Sequence, residues 1–310
     1  MNAQKVYSPL TIHLAVDGSD HSIAAAQFIR DLPLPQGSKV VALGVLSRRH
    51  TPSQYLLLGA LDETQRILSD NKAHVSTGLL HGNPDEVLTD FANRHRPNLV
   101  VIGAKGLRAT LGILLGGVAQ QVVEYARRPV LVVRAPYTGL KNVLLAVDGS
   151  RHSQYAAQYL ARFPIPEGTV VRVMNVLPPI PEPEKLITTS RYVHFYPDIP
   201  PLSSYETEQS IARQVEVEEH EGQALLAETI KMLGLSGIEA TGSLKRGDAA
   251  SEIIEYVQSK QVDLVVVGSR GLTAMKSWLL GSVSRKLVHY AGCSVLIVKA
   301  PHTKPGEYTT

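Results

Sequence analysis

Two stretches of this 310-residue chain are copies of one another, and that duplication limits the possible fold more than any other feature. HLAVDGSDHSIAAAQ starts at His13 and LLAVDGSRHSQYAAQ at Leu144, so Asp17 and Asp148 stand 131 residues apart (148 minus 17). This register runs without a gap from Thr11 to Leu46 and carries Pro33 onto Pro164, Pro35 onto Pro166 and Gly37 onto Gly168. Farther on, NLVVIGAKGL from Asn98 matches DLVVVGSRGL from Asp263 at an offset of 165, gap-free from Gly82/Gly247 to Pro136/Pro301. The difference of 34 residues (165 minus 131) is an insertion in the second copy after Leu177. Its text, PPIPEPEKLITTSRYVHFYPDIPPLSSYE, holds too many prolines for a regular hydrogen-bonded element and reads as a loop excursion, with a flap over a ligand as the alternative. A unit repeated whole is expected to fold as a unit. The expected domains are therefore 1–137 and 138–310, joined by a short linker at about Ala135–Lys141 and packed against each other.

Each copy spells the same element order. Apolar runs at Ile12–Val16 and Val143–Val147 read as buried strands, followed by an Asp-Gly-Ser turn and an Ala-rich helix that proline stops. KVVALGVL and VVRVMNVL are second strands, and longer helices follow near Ala60–Asn71 and Val215–Leu233. After a third strand, helices at Pro84–His95 and Ala249–Lys260 lead to the fourth strands LVVIGA and LVVVGS. A glycine-rich loop, a helix and a last strand close each copy. Strands apolar throughout that alternate with helices indicate a parallel sheet covered on both faces, so the expected fold is α/β, two doubly wound domains in tandem.

Composition removes several classes of function. Hydrophobic residues at 44% and charged ones at 19% suit globular domains with sizeable cores. A net charge of +3, spread along the chain, is too weak for a nucleic-acid footprint. No apolar run approaches the roughly 18–20 residues that span a bilayer, and no signal peptide opens the sequence. One cysteine, Cys293, excludes an internal disulfide and suits a reducing cytoplasm, the expected location. It reads as a small buried hydrophobe rather than a nucleophile. The eleven histidines show no metal-ligand spacing. Arg270, Lys276 and Arg285 read as solvated, and Trp278 as packing.

The chemistry gathers where the fourth strand of the second copy runs into GSRGLTAMKSWLLGSVSRKLVHY. Gly268 and Gly271 at the strand exit permit positive φ and close backbone approach to a bulky ligand. The GSVS segment, Gly281 to Ser284, opens a helix whose free amides and dipole favour an anion. The hydroxyls of Ser282 and Ser284 add donors for phosphate oxygens. Ligands of open α/β sheets bind beyond the carboxyl ends of the strands. Asp148 ends the first strand and faces that crevice if the first and fourth strands are neighbours. Its carboxylate suits a ribose hydroxyl or a divalent cation, with an Asx-type turn at the next helix as a coexisting structural role. Neither GxxxxGK[ST] nor a GxGxxG after a first strand is present.

The spacing G-x2-G-x9-G-[ST], here Gly268, Gly271, Gly281 and Ser282 behind an AVDGS strand end, resembles the universal stress protein family in its tandem-domain form. The resemblance spans nearly the whole chain. It implies five-stranded parallel sheets of order 3-2-1-4-5. It also implies ATP, or ADP or AMP, in the crevice between the first and fourth strands, with Mg2+ or Mn2+ accompanying the nucleotide. By the same resemblance, Ala146, Val147 and Asp148 match the strand end that contacts adenine and ribose. Val176 matches the second-strand adenine contact, and Gly268, Gly271, Gly281, Ser282, Val283 and Ser284 the phosphate loop. The family divides into members that bind ATP and members that do not, and the division turns on this loop. The first copy keeps the glycines as Gly103, Gly106 and Gly116 but has Gly117 and Ala119 for the two serines. One nucleotide per chain, held by the second copy, is expected.

The reading is a nucleotide-binding stress-response or regulatory protein with no evident catalytic base. A slow ATPase and an adaptor with a vestigial site are the alternatives. The two copies are expected to pair through their last strands as an internal pseudo-dimer. The sequence decides neither a further homodimer nor a protein partner, and no nucleic-acid or membrane partner is expected.

Overall fold

The computed structural model describes residues 7–47, 54–107, 114–180, 204–272 and 280–300, except the side chains of residues 204–208. The proline-rich stretch 181–203, Lys276 and Trp278 lie outside the described residues. The first repeat runs β1 (Thr11–Val16), α1 (Asp20–Asp31), β2 (Lys39–Leu46), α2 (Gln54–Ile67), β3 (His74–His81), α3 (Pro84–His95), β4 (Leu99–Gly103), α4 (Gly117–Tyr125) and β5 (Val130–Val133). The second runs β6 (Asn142–Ala146), α5 (Arg151–Arg162), β7 (Val170–Leu177), α6 (Ser204–Leu235), β8 (Ala240–Arg246), α7 (Ala249–Ser259), β9 (Leu264–Gly268), α8 (Ser282–Tyr290) and β10 (Ser294–Val298).

The duplicated Asp-Gly-Ser turn shows why the repeats start alike. Gly18 and Gly149 take φ of 81° and 76°, a region glycine enters without a Cβ penalty. Ser19 and Ser150 then cap α1 and α5, their hydroxyls accepting from Ser22 N and Ser153 N. Both helices stop one residue before a proline, where the helical conformation is disfavoured. Both long helices differ in their bounds from the sequence expectation, and the first starts earlier, at Gln54 rather than near Ala60. The first long helix ends at Ile67 because Asn71 leaves it, its Nδ2 donating to Ile29 O at 3.0 Å and so satisfying a carbonyl at the end of α1. The second begins at Ser204 rather than near Val215, since Glu, Gln, Ala and Arg before that point favour helix.

All ten strands form one sheet, ordered β3-β2-β1-β4-β5-β10-β9-β6-β7-β8. Each repeat is thus five parallel strands in the order 3-2-1-4-5. Only the seam is antiparallel, pairing Val130, Leu131 and Val132 with Ile297, Leu296 and Val295. The last strands do join the two halves as an internal pseudo-dimer. The strands alternate their apolar side chains between two cores, each continuous across both repeats. One packs Ile12, Leu14, Leu131, Leu145 and Leu296 against α1, α2, α5 and α6. The other packs Val100, Val130, Leu144, Val265 and Ile297 against α3, α4, α7 and α8. No helix among the described residues is long and apolar enough to cross a membrane.

The seam carries a reciprocal pair of caps. Arg134 Nη2 donates to Val288 O at 2.8 Å and His289 O at 3.1 Å, closing the end of α8. Lys299, its equivalent at the 165 offset, donates from Nζ to Val123 O at 2.6 Å and Glu124 O at 2.9 Å, closing α4. Each repeat therefore supplies the cation that the other's last helix needs for its orphan carbonyls and negative dipole end. Burial pushes the Lys299 ammonium down to about 8, with Glu124 opposing and Arg270 reinforcing that direction. Lys299→Met keeps the stem volume and removes the cap, so urea unfolding should show a loss of about 1–3 kcal/mol.

His13 is the buried exception in β1. Its ring lies 5.0 Å from that of Phe91, its Nδ1 has no partner, and the second repeat has Leu144 in its place. Burial, assisted by His95, drives its pKa from 6.5 to about 4. The folded value lies below the unfolded one, so the unfolded chain binds more protons between the two and stability falls as pH drops through that window. Between about pH 7 and about pH 5.5 this group should cost about 1 kcal/mol. His13→Leu should lose that much less in urea melts at the two pH values; an identical pH dependence would refute the assignment.

Candidate functional site

β6 and β9 are parallel neighbours, Leu145 beside Val266, so Asp148 and Gly268 meet at the carboxyl edge of the sheet. A crevice of about 380 Å3 opens there. Its lining includes all ten residues singled out by sequence: Ala146, Val147, Asp148, Val176, Gly268, Gly271, Gly281, Ser282, Val283 and Ser284. The volume falls in the range of small-molecule sites. Met174, Ser153, Ile253 and Val267 also line it and were not anticipated. Met174 stands two residues before Val176 on the same strand face, and Ile253 one helical turn beyond Ala249. Both periodicities are present in the sequence.

The glycines act differently from the expectation. Gly268, Gly271 and Gly281 are not among the residues with positive φ. Close packing requires them instead. A Cβ on Gly268 would stand 2.6 Å from the backbone carbon of His152, at the start of α5, and one on Gly271 would stand 2.6 Å from Asp148 Oδ2. Gly281 N donates to Ser269 O at 2.8 Å, so the two ends of the loop are pinned together where α8 begins.

The two serines also separate. Ser284 is buried and donates its hydroxyl proton to Gly268 O at 2.6 Å, bolting α8 to the end of β9. That proton is spent within the protein, which corrects the expectation of two free hydroxyl donors. Ser282 is exposed at the first helical position, and its N-cap, Gly281, brings no side chain to the first-turn amides. Those amides and one hydroxyl face the crevice at the positive end of the helix.

Asp148 fills the structural role expected of it, Oδ1 accepting from Ser150 N at 3.0 Å. Among the described residues its Oδ2 accepts no hydrogen bond. Its counterpart Asp17 is more fully engaged. Oδ1 accepts from Ser19 N at 3.0 Å and Ser19 Oγ at 2.7 Å, and Oδ2 from Leu107 N at 3.2 Å.

Arg270 is half-buried and lines the crevice rather than standing free in solvent. Arg285 points elsewhere, 3.8 Å from Glu124 of the first repeat. Burial pushes the Cys293 thiol up to about 12, so it is no nucleophile. The first repeat has a corresponding cleft of about 630 Å3, with Val16, Asp17, Val45, Lys105, Gly106, Gly117 and Val118 among its lining.

Fold and crevice together define a tandem pair of doubly wound α/β domains, each with a cleft where the strand order reverses, the place where such sheets take ligands. The profile of the universal stress protein family matches residues 10–134 and again 139–299, and the chain belongs to that family. A universal stress protein of Mycolicibacterium smegmatis is 27% identical over 251 residues, 77% of this chain and 76% of its own. Universal stress protein YxiE of Bacillus subtilis is 31% identical over 160 residues, 51% of this chain and 97% of its own. Universal stress protein MJ0531 of Methanocaldococcus jannaschii is 34% identical over 110 residues, 36% of this chain, and the match spans 65% of that relative's length. The crystal structure of a universal stress protein from Archaeoglobus fulgidus shares the fold at a TM-score of 0.62 and 16% identity, covering 95% of this chain and 98% of that one.

Gly268 gives the sharpest test of this packing. Gly268→Ala should destabilise the protein by about 2 kcal/mol or more, because α5 must move off β9. Gly292→Ala, where nothing lies within 4 Å of the added carbon, should stay within about 0.5 kcal/mol in the same urea titration.

Proposed function

We propose that the second repeat binds an adenine nucleotide, ATP first among them, and that the protein acts in the cytoplasm as a nucleotide-dependent stress-response regulator. The observation that carries this is the open first turn of α8, with Ser282 beside it, facing a crevice whose inner wall is apolar. Val147, Met174, Val176 and Ile253 would hold the base. Asp148 Oδ2 would accept a ribose hydroxyl, or share Mg2+ or Mn2+ with the phosphates. The amides of Ser282 and Val283, the Ser282 hydroxyl and Arg270 would take the phosphate oxygens. The residues fit the ligand, polar donors at one end and apolar walls at the other.

Regulation suits this site better than rapid hydrolysis. Asp148 is the one carboxylate in the described lining, it is tied to Ser150, and the described lining holds no histidine to activate water. A bound nucleotide would act by favouring one of two conformations or partner states. The contrast between Asp148, with an oxygen that accepts no bond among the described residues, and Asp17, with both oxygens engaged, supports a single high-affinity nucleotide per chain.

Calorimetry with ATP and Mg2+ should give one site per chain. Ser282→Ala removes one hydrogen bond to a charged oxygen and should raise Kd about tenfold or more. Two equivalent ATP sites, or none, would sink the proposal.

A further inference from the structure

The cleft of the first repeat keeps the walls of its sister and reverses the character of the other end. We propose that it is a second, separate ligand site that takes an uncharged purine nucleoside and rejects nucleoside polyphosphates. The inference rests on the reading above, that the valine walls of the second crevice hold a base. Val16, Val45 and Val118 line the first cleft at the positions of Val147, Val176 and Val283 in the second. Leu43 and Leu88 stand for Met174 and Ile253, so the wall of the slot stays apolar throughout.

Two changes at the phosphate end act in one direction. Gly117 stands for Ser282, so the first helical position of α4 has no hydroxyl. The ion pair Lys286–Asp248, 3.4 Å apart in the second repeat, is replaced as a whole by Gln121 and Asn83, which leaves the charge balance as it was. Asp85 enters the lining where the second repeat has buried Ala250. The described lining of the first cleft therefore sets Asp17 and Asp85 against Lys105. In the second, Asp148 faces Arg270. A triphosphate entering the first cleft loses a donor and meets an added carboxylate, and like charges in a partly buried site repel. A nucleoside carries no charge, and its sugar hydroxyls find acceptors in Asp85 and the Asn83 side chain, both in the lining.

The test is site-resolved. In methyl NMR spectra, adenosine should shift the signals of Val16, Val45 and Val118 as well as those of Val147, Val176 and Val283. ATP should shift only the second set, with first-cleft affinity at least about a hundredfold weaker. The double variant Asp85→Ala/Gly117→Ser restores two features of the second crevice. Nothing lies within 4 Å of a Cβ on Gly117, so the serine fits. In this variant ATP should begin to shift Val16, Val45 and Val118. Adenosine leaving those three valines unmoved, ATP shifting them in the wild type, or a double variant that gains no ATP response would each overturn the inference. ATP leaving Val147, Val176 and Val283 unmoved would instead take down the second-crevice reading, and this inference with it.

Discussion

The antiparallel seam between β5 and β10 is the contact on which the rest of the molecule depends. Three residue pairs stand in antiparallel register there, and they turn two five-stranded sheets into one of ten strands. A five-stranded domain ending at β5 would leave an apolar edge, Val130–Val133, fully able to pair with another chain. The second repeat covers that edge from within the same chain. Arg134 and Lys299 then tie each last helix to the opposite repeat through carbonyls of its final turn. Because α4 and α8 begin at the two clefts and end at this seam, the same bonds that join the repeats also fix the helices whose first turns line the clefts.

On this shared frame the two clefts have diverged by few substitutions. The scaffold bonds persist: Asn98 Oδ1 accepts from Thr11 N in one repeat, and Asp263 Oδ2 from Asn142 N in the other. Gly106 and Gly271 both leave room for an aspartate oxygen at the same 2.6 Å. What differs is hydrogen-bond occupancy and charge. Leu107 N claims Asp17 Oδ2, and Ala119 leaves β4 without the strut that Ser284 gives β9. Duplication lets one cleft change while the fold persists, since the glycine contacts recur in both repeats and the Ser284 strut in only one.

The repeat and its two offsets carried most of the architecture into the sequence: element order, strand character, the turn at Gly18 and Gly149, and the meeting of Asp148 with the glycine loop. All these follow from local propensity and periodicity. The reasons behind individual residues were less accessible. Gly268 is visible as a glycine, but the demand for it comes from the backbone of α5, about 115 residues earlier in the chain, and φ is not involved. Ser284 reads as a phosphate donor until the fold brings Gly268 O within 2.6 Å. Asn71 leaves its helix for carbonyls of α1. In each case a contact between distant segments overrides what the local text favours.

Behind the apolar wall of the crevice the repeats have exchanged volume in a way that bears on its shape. In the first, Gly44 of β2 makes room for Leu57 of α2, whose Cγ would stand 2.9 Å from an added Cβ. In the second, the strand carries Asn175 and the helix carries Gly222, where a Cβ would stand 2.9 Å from Asn175 Oδ1. An asparagine in a core is costly, and its Oδ1 has no partner there. Its Nδ2, however, donates to Val147 O at 2.8 Å, the residue immediately before Asp148. Leucine at position 57 offers no such bond. The polar side chain therefore fixes the strand end that presents Asp148, at the expense of an unsatisfied oxygen. That is the pattern of a local stability cost accepted where a site must be held in place.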